Sequence, residues 1–150
     1  MNLTRRTLKL KLKTMGMKHV FHTKKLAQSL HKVMDEQGGI GLASNQVGLR
    51  ERCFVMRING QRWSCFNPEI VDAHNDFVQF DEGCLSFPGD SCTITRPNTV
   101  IVKYFDENAK EHTETLTGLA SRCFQHELDH LNGITMWDRY KEQNAEQSRN

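Results

Sequence analysis

The stretch Phe124-Gln125-His126-Glu127-Leu128-Asp129-His130 sets two imidazoles and a carboxylate on one turn of a helix. Positions i and i+4 share a helix face, with Cβ atoms about 6 Å apart, so His126 and His130 suit one metal ion, with Glu127 beside it as an acid–base group. A catalytic zinc of this kind takes three protein ligands and leaves a fourth position for water. The helix supplies two. In the extended metal-protease pattern, H-E-x-x-H-x-x-G-x-x-H, the third lies downstream. Here Gly133 holds the glycine position, but Met136 stands where the last histidine belongs, and a thioether is too soft and weak to replace an imidazole. Beyond it come only Asp138, Glu142 and Glu146, the last two in a polar tail, which turns the search upstream.

Two upstream stretches rich in small and polar residues fall where loops are expected: GGIGLASNQVG (38–48) and FDEGCLSFPG (80–89). Histidines 19, 22, 31, 74 and 112 are scattered without ligand spacing and read as surface or core residues. For a lone cysteine such as Cys84 the ordinary reading is a small buried hydrophobe. The demand for a third ligand favours it nonetheless, since metal binding deprotonates a coordinating thiol. Gly39 and Gly41 would let the backbone approach a peptide closely, and Ile40 could wall an apolar pocket.

Three stretches in this order, GIGLASNQ (39–46), EGCLS (82–86) and QHELDH (125–130), resemble the peptide deformylase family. The resemblance implies a metal held by Cys84, His126 and His130, and removal of the formyl group from the initiator formyl-methionine of nascent polypeptides, with release of formate. It implies that a metal-bound water attacks the formyl carbon while Glu127 acts as general acid and base. Oxyanion donors would be the Gln46 side-chain amide and the Leu85 backbone N–H. Gly41, Leu85, Leu119 and Cys123 would lie near the methionine pocket, although Leu119 and Cys123 also fit an apolar helix stripe that is buried in any case. Glu82 would pair with Arg96 behind the Cys84 loop, a surface salt bridge being the plainer alternative; Asp129, apart from the resemblance, could orient a neighbour, although an Asp on a helix is more often solvated. The implied cofactor is one divalent metal per chain, Fe²⁺ physiologically, with Zn²⁺, Ni²⁺ or Co²⁺ able to substitute; a Cys/His₂ set does not by affinity choose among them.

Several positions depart from the family pattern. Ser44 replaces an alanine, Gly38 often an acidic residue, and Ser91 a common arginine. Arg122 replaces an apolar residue on the pocket rim, where it could alter substrate preference or contact the substrate backbone. The common Pro-Asp of the amino-terminal segment and the long C-terminal helix are missing, as in trimmed organellar or virus-encoded forms. A zinc endopeptidase is the competing enzyme, weakened by Met136. A non-catalytic RNA-binding module is the other alternative, weakened by the intact Cys84, Glu127 and Gln46.

These side chains need a scaffold of both element types. Leu26, Ala27, Leu30, Val33 and Met34 recur at helical spacing, predicting a helix from about Lys24 to Gln37 that Gly38-Gly39 ends. Strand-like runs follow at 53–58, 63–66, 70–71, 77–80, 92–95, 100–105 and 112–116, separated by turn signals including Asn59-Gly60 and Asn67-Pro68. Thr117 is placed to cap a helix running to about Asn132, with Gly133 as its terminal glycine. Leu8 to Lys13 alternates like a strand with one buried face. The expected class is α+β: antiparallel sheets packed around a central C-terminal helix carrying H-E-x-x-H, plus one N-terminal helix.

Composition sets the context. A chain of 150 residues with 37% hydrophobic and 25% charged residues and a net charge of +2 reads as a single domain, 1–150, with a disordered tail over about 141–150. No apolar run approaches the ~20 residues of a membrane span. Five cysteines without a CxxC pair argue against a disulfide framework and for a reducing cytoplasm. Residues 1–34 contain no Asp or Glu but nine Lys and Arg, from Arg5 to Lys32. A solvated face is the simplest account, and weak contact with RNA or the ribosome the next. The partners that the resemblance implies are N-formylmethionyl peptides emerging from the ribosome, and the expected state is a monomer with no membrane association.

Overall fold

The computed structural model describes residues 1–148, with side chains described through Ala145. In chain order the elements are α1 (Val20–Glu36), β1 (Gly41–Ala43), a 3₁₀ turn (Ser44–Gln46), β2 (Cys53–Ile58), β3 (Gln61–Ala73) and β4 (Phe77–Glu82). Then come β5 (Cys92–Pro97), β6 (Thr99–Phe105), β7 (Glu111–Thr117), α2 (Gly118–Leu131) and α3 (Met136–Ser148). Strands β1-β2-β3-β6-β7 form one antiparallel sheet in that spatial order, while β4 and β5 pair as a separate ribbon.

Strand β2 is apolar almost throughout because both of its faces are covered. Alternate residues point to opposite sides. Phe54, Met56 and Ile58 pack with Phe124, Leu128 and Leu131 of α2, and the Phe54 and Phe124 rings meet edge-on at 5.0 Å. Cys53 and Val55 pack on the other side with Leu26, Leu30, Val33 and Met34 of α1. The central helix is therefore clamped to a sheet that is itself backed by a second helix, which is the α+β arrangement expected from the sequence. Asn59 and Gly60 both take positive φ, 51° and 82°, as the two-residue β2–β3 hairpin requires.

Three features differ from the sequence reading. Helix α1 starts at Val20, ahead of Lys24. The runs 63–66 and 70–71 belong to one strand, because Asn67-Pro68 is absorbed as a register shift between Phe66 and Glu69 instead of ending the ladder. Residues 8–13 form no strand. Leu8 and Leu12 are buried as the alternation predicts, but the pairing is one bridge, Lys11 with Asn132, beside a hydrogen bond from Leu12 N–H to Leu131 O at 2.8 Å. The partner is the end of α2.

A larger correction concerns the carboxyl-terminal region. The expected disordered tail and missing C-terminal helix are replaced, through Ser148, by helix α3; residues 149–150 lie outside the described residues. Thr135 and Asp138 start it with a reciprocal cap. Asp138 N–H donates to Thr135 Oγ1 at 3.3 Å and Thr135 N–H donates to Asp138 Oδ2 at 2.8 Å. Met136 is 1% exposed and packs with Cys92 and Ile94, so the residue in the vacant histidine position is a core anchor. No helix among the described residues is long and apolar enough to cross a membrane.

Candidate metal centre

Helix α2 presents its histidines inward. Thr117 stands at its N-cap position with extended φ and ψ but makes no side-chain cap hydrogen bond. The other end is fixed more firmly. Gly133 has a φ of 74°, Gly133 N–H donates to His130 O at 2.9 Å, and Ile134 N–H donates to Asp129 O at 2.8 Å. This is the Schellman pattern, and it stops the helix just after His130.

Three segments converge on one point. Cys84 Sγ lies 3.3 Å from His130 Nε2, which lies 3.1 Å from His126 Nε2, and the three ligand atoms fall within 4.8 Å of one another. A cation bonded at about 2.0–2.3 Å to nitrogen and sulfur has tetrahedral edges of roughly 3.3–3.7 Å, close to those two separations. His126 Nδ1–H donates to Glu82 Oε1 at 2.9 Å, which leaves its Nε2 lone pair directed at the site. Two imidazole lone pairs and a sulfur facing each other repel unless a cation stands between them. Burial opposes protonation at both rings, yet contacts with Cys84 and Glu82 raise His126 to about 10, while burial and the neighbouring His126 push His130 well below its usual value. The donor set therefore fits a single divalent ion.

Behind the ligands lies a buried ion network. Arg96 donates to Glu82 from Nε at 2.6 Å and Nη2 at 3.0 Å, and from Nη1 to Asp129 Oδ2 at 2.8 Å. Asp129 also accepts from Arg139 of α3 at 2.8 and 3.0 Å. Burial works against the Glu82 charge, but hydrogen bonds from His126 and Arg96 hold its carboxyl well below the usual range. The Glu82–Arg96 pair is thus an internal brace behind His126, and Asp129, a residue type more often solvated on a helix, is part of it.

A cavity of about 580 Å³ opens onto two of the candidate ligands, Cys84 and His126. Ile40, Gly41, Leu85, Leu119, Arg122 and Cys123 all line it, as do Gln46, Glu82 and Glu127. Leu119 is 42% exposed, so it belongs to the cavity wall and not to the buried helix stripe. Arg122 is on the wall too, but its guanidinium turns inward. Nη1 donates to Glu82 Oε2 at 2.8 Å and Ile94 O at 2.9 Å, and Nη2 donates to Val78 O at 2.7 Å. In this arrangement its donors serve the fold, and a substrate-backbone contact would require releasing them.

Glu127 is 3% exposed, and burial raises its carboxyl to about 7. Its Oε2 has no hydrogen-bond partner, which leaves that oxygen free for a proton arriving from the cavity. Gln46 is oriented from the rear, because Ala43 N–H donates to its Oε1 at 2.8 Å. Its Nε2 then donates to Ser86 Oγ at 2.9 Å and points at Cys84 Sγ at 3.5 Å. Leu85 follows Cys84 in the turn, with its side chain against Gly39.

Sequence reasoning missed Ser86, the partner of Gln46, and Leu3, Phe80 and Phe87 on the cavity wall. None carries a local signal. It also missed Arg139 and the Thr135–Asp138 cap, although Thr-x-x-Asp ahead of a helix is legible as a capping pattern.

Residues 4–146 match the family described as Polypeptide deformylase. A peptide deformylase of Borreliella burgdorferi is 40% identical over 118 residues, covering 77% of this chain and 72% of that protein. The crystal structure of peptide deformylase from Thermotoga maritima superimposes with a TM-score of 0.86 at 36% identity, over 90% of this chain and 91% of that one. A peptide deformylase from Synechococcus elongatus, solved in complex with actinonin, gives 0.85 at 34% identity, over 92% of this chain and 75% of that one.

Proposed function

The chain belongs to the polypeptide deformylase family, and from that premise we propose how its own residues remove the N-formyl group of a new polypeptide. The observation that carries the assignment of roles is the meeting of Cys84 Sγ, His126 Nε2 and His130 Nε2 beside the cavity that Cys84, His126, Glu127 and Gln46 line. Cys84, His126 and His130 would hold one divalent ion. Such an ion supplies Lewis acidity and a water acidic enough to lose a proton near neutral pH. Glu127 takes that proton and returns it to the amine nitrogen as the formyl C–N bond breaks, a role typically worth ~10²–10⁴ in rate. Gln46 Nε2–H and the Leu85 backbone N–H donate to the oxygen that becomes negative, and losing one such donor costs about 10²–10³. Ile40, Leu85, Leu119 and Cys123 receive the methionine side chain and keep water from it. Glu82, braced by Arg96, keeps the His126 ring in one tautomer.

Iron is the physiological ion in this reading, and its thiolate ligand makes the site sensitive to oxygen and peroxide. Aerobic protein loses activity and Ni²⁺ or Co²⁺ restores it; equal activity of aerobic zinc protein and anaerobic iron protein contradicts this. The enzyme acts in the cytoplasm as a monomer on formylmethionyl chains leaving the ribosome, with its acid-free residues 1–34 giving a weak, salt-sensitive attraction to RNA. The deciding experiment measures formate release from a formyl-Met tripeptide. Cys84→Ala should lose metal and activity together, and Glu127→Ala should lose activity with metal retained. A Cys84→Ala protein that keeps one metal and full activity refutes the ligand set.

A further inference from the structure

Three segments carry the site: the turn with Gln46, the loop with Cys84, and the helix with both histidines. Residues 4–12 touch all three. Thr4 N–H donates to Gln46 O at 2.8 Å, Thr7 Oγ1 donates to Asn45 O at 2.5 Å, and Leu12 N–H reaches Leu131 O at the end of α2. Arg5 makes the contact to the Cys84 loop. Its Nε donates to Ser86 O at 2.9 Å, and its guanidinium carbon lies 4.6 Å from the centroid of the Phe87 ring.

That loop, residues 83–91, lies outside every helix and strand, so no ladder fixes its path. Gln46 also reaches it, through Ser86 Oγ, but this is the amide that must turn to a substrate oxygen. A tether that keeps its grip while Gln46 is engaged has to come from elsewhere. Arg5 suits the task, because a guanidinium can stack its face on a ring while donating in its own plane.

We propose that Arg5 is a positioning residue for the metal site: by gripping Ser86 and Phe87 it holds Cys84 Sγ in register with His126 and His130. This rests on the reading of Cys84 as a ligand. An arginine outside all three motif stretches, and far from the ligands in sequence, thereby becomes part of the support around the site.

The test is competition between protein and a chelator for Co²⁺, with the cobalt–thiolate absorption and amide hydrogen exchange over residues 84–90 as further readouts. Arg5→Ala should weaken Co²⁺ binding about tenfold, the low end for support residues of metal ligands. The thiolate band should shift and the Ser86 and Phe87 amides exchange faster, with melting of the metal-free protein unchanged. Wild-type affinity and exchange in Arg5→Ala, alongside loss of binding in Cys84→Ala, overturns the proposal and leaves the ligand reading standing. Wild-type binding in Cys84→Ala overturns both. Where Arg5→Ala also melts early without metal, Arg5→Lys decides. It keeps the charge but not the planar stacked donor, and should bind Co²⁺ at least about threefold more weakly. Wild-type affinity in Arg5→Lys overturns the proposal.

Discussion

Adding one methyl group at Gly41 should displace Glu127, the proposed general base, without touching a proposed ligand. A β-carbon there would lie 2.7 Å from Cys123 Sγ and 2.8 Å from Glu127 Oε1, where ordinary contact begins near 3.4 Å. The shortfall at the carboxylate, 3.4 less 2.8, is about 0.6 Å. Gly41 is not among the glycines with positive φ, so alanine fits the backbone and the strain falls on the neighbours. Misplacing a reacting group by about 1 Å can cost roughly 10² in rate. A shift of this size should therefore lower kcat between about 10- and 100-fold, with a stability loss of about 1–3 kcal/mol from overpacking. The assay is steady-state formate release with bound metal quantified in the same samples, and metal content should equal wild type. Cys123→Ala in the Gly41→Ala background relieves the sulfur contact but not the carboxylate contact, so it should restore stability and leave kcat low. Wild-type kcat in Gly41→Ala, or full rescue of kcat by Cys123→Ala, would refute the reasoning.

Other expectations follow from burial and charge. Because burial raises Glu127 from 4.5 to about 7, the metal-free folded protein holds a proton that the unfolded chain releases, and the contribution of this group to stability falls as pH rises across that window. Glu127→Gln should thus gain stability over metal-free wild type between those values and converge with it below them; parallel urea-unfolding profiles would contradict this. Met136→Ala should cost about 2–5 kcal/mol of stability with unchanged Co²⁺ affinity, and a change in affinity alone would mean the thioether reaches the metal. Arg122→Leu strands the carbonyls of Val78 and Ile94 and should cost about 2–3 kcal/mol in urea titration. A raised KM with unaltered stability would instead mark Arg122 as a substrate contact.

The chemistry was more legible than the scaffold around it. His126, Glu127 and His130 announce themselves because helical spacing converts directly into proximity, and Asn59-Gly60 announces its hairpin because few other pairs tolerate its backbone. The α+β class followed from periodicity alone. Cys84 was reached by need and by resemblance, since nothing local distinguishes a ligand thiol from a buried one. Arg122 is placed on the pocket rim by the resemblance alone, which locates the position and not where a long guanidinium ends. Helix α3 was hidden by its polar sequence. Its stability comes from Met136, Arg139 and the Thr135–Asp138 cap, which are tertiary and terminal contacts and not an apolar stripe. Residues 8–13 alternate correctly yet have no strand to pair with, because alternation reports burial and not the identity of the neighbour.

Helix α3 also shields a strand edge. Thr95 pairs with Gln79 on one side of β5, and its own N–H and C=O both turn to the other side. There the Gln143 side chain meets them as a neighbouring backbone would, accepting from Thr95 N–H at 2.9 Å and donating to Thr95 O at 2.9 Å. The ribbon needs this guard, because β4 already carries Phe77 and Phe80 at 59% and 50% exposure. An open edge beside such side chains is a template for another chain. A protein cut before Met136 would keep every proposed ligand and catalytic group and still tend to self-associate, so loss of activity in it would report aggregation before chemistry.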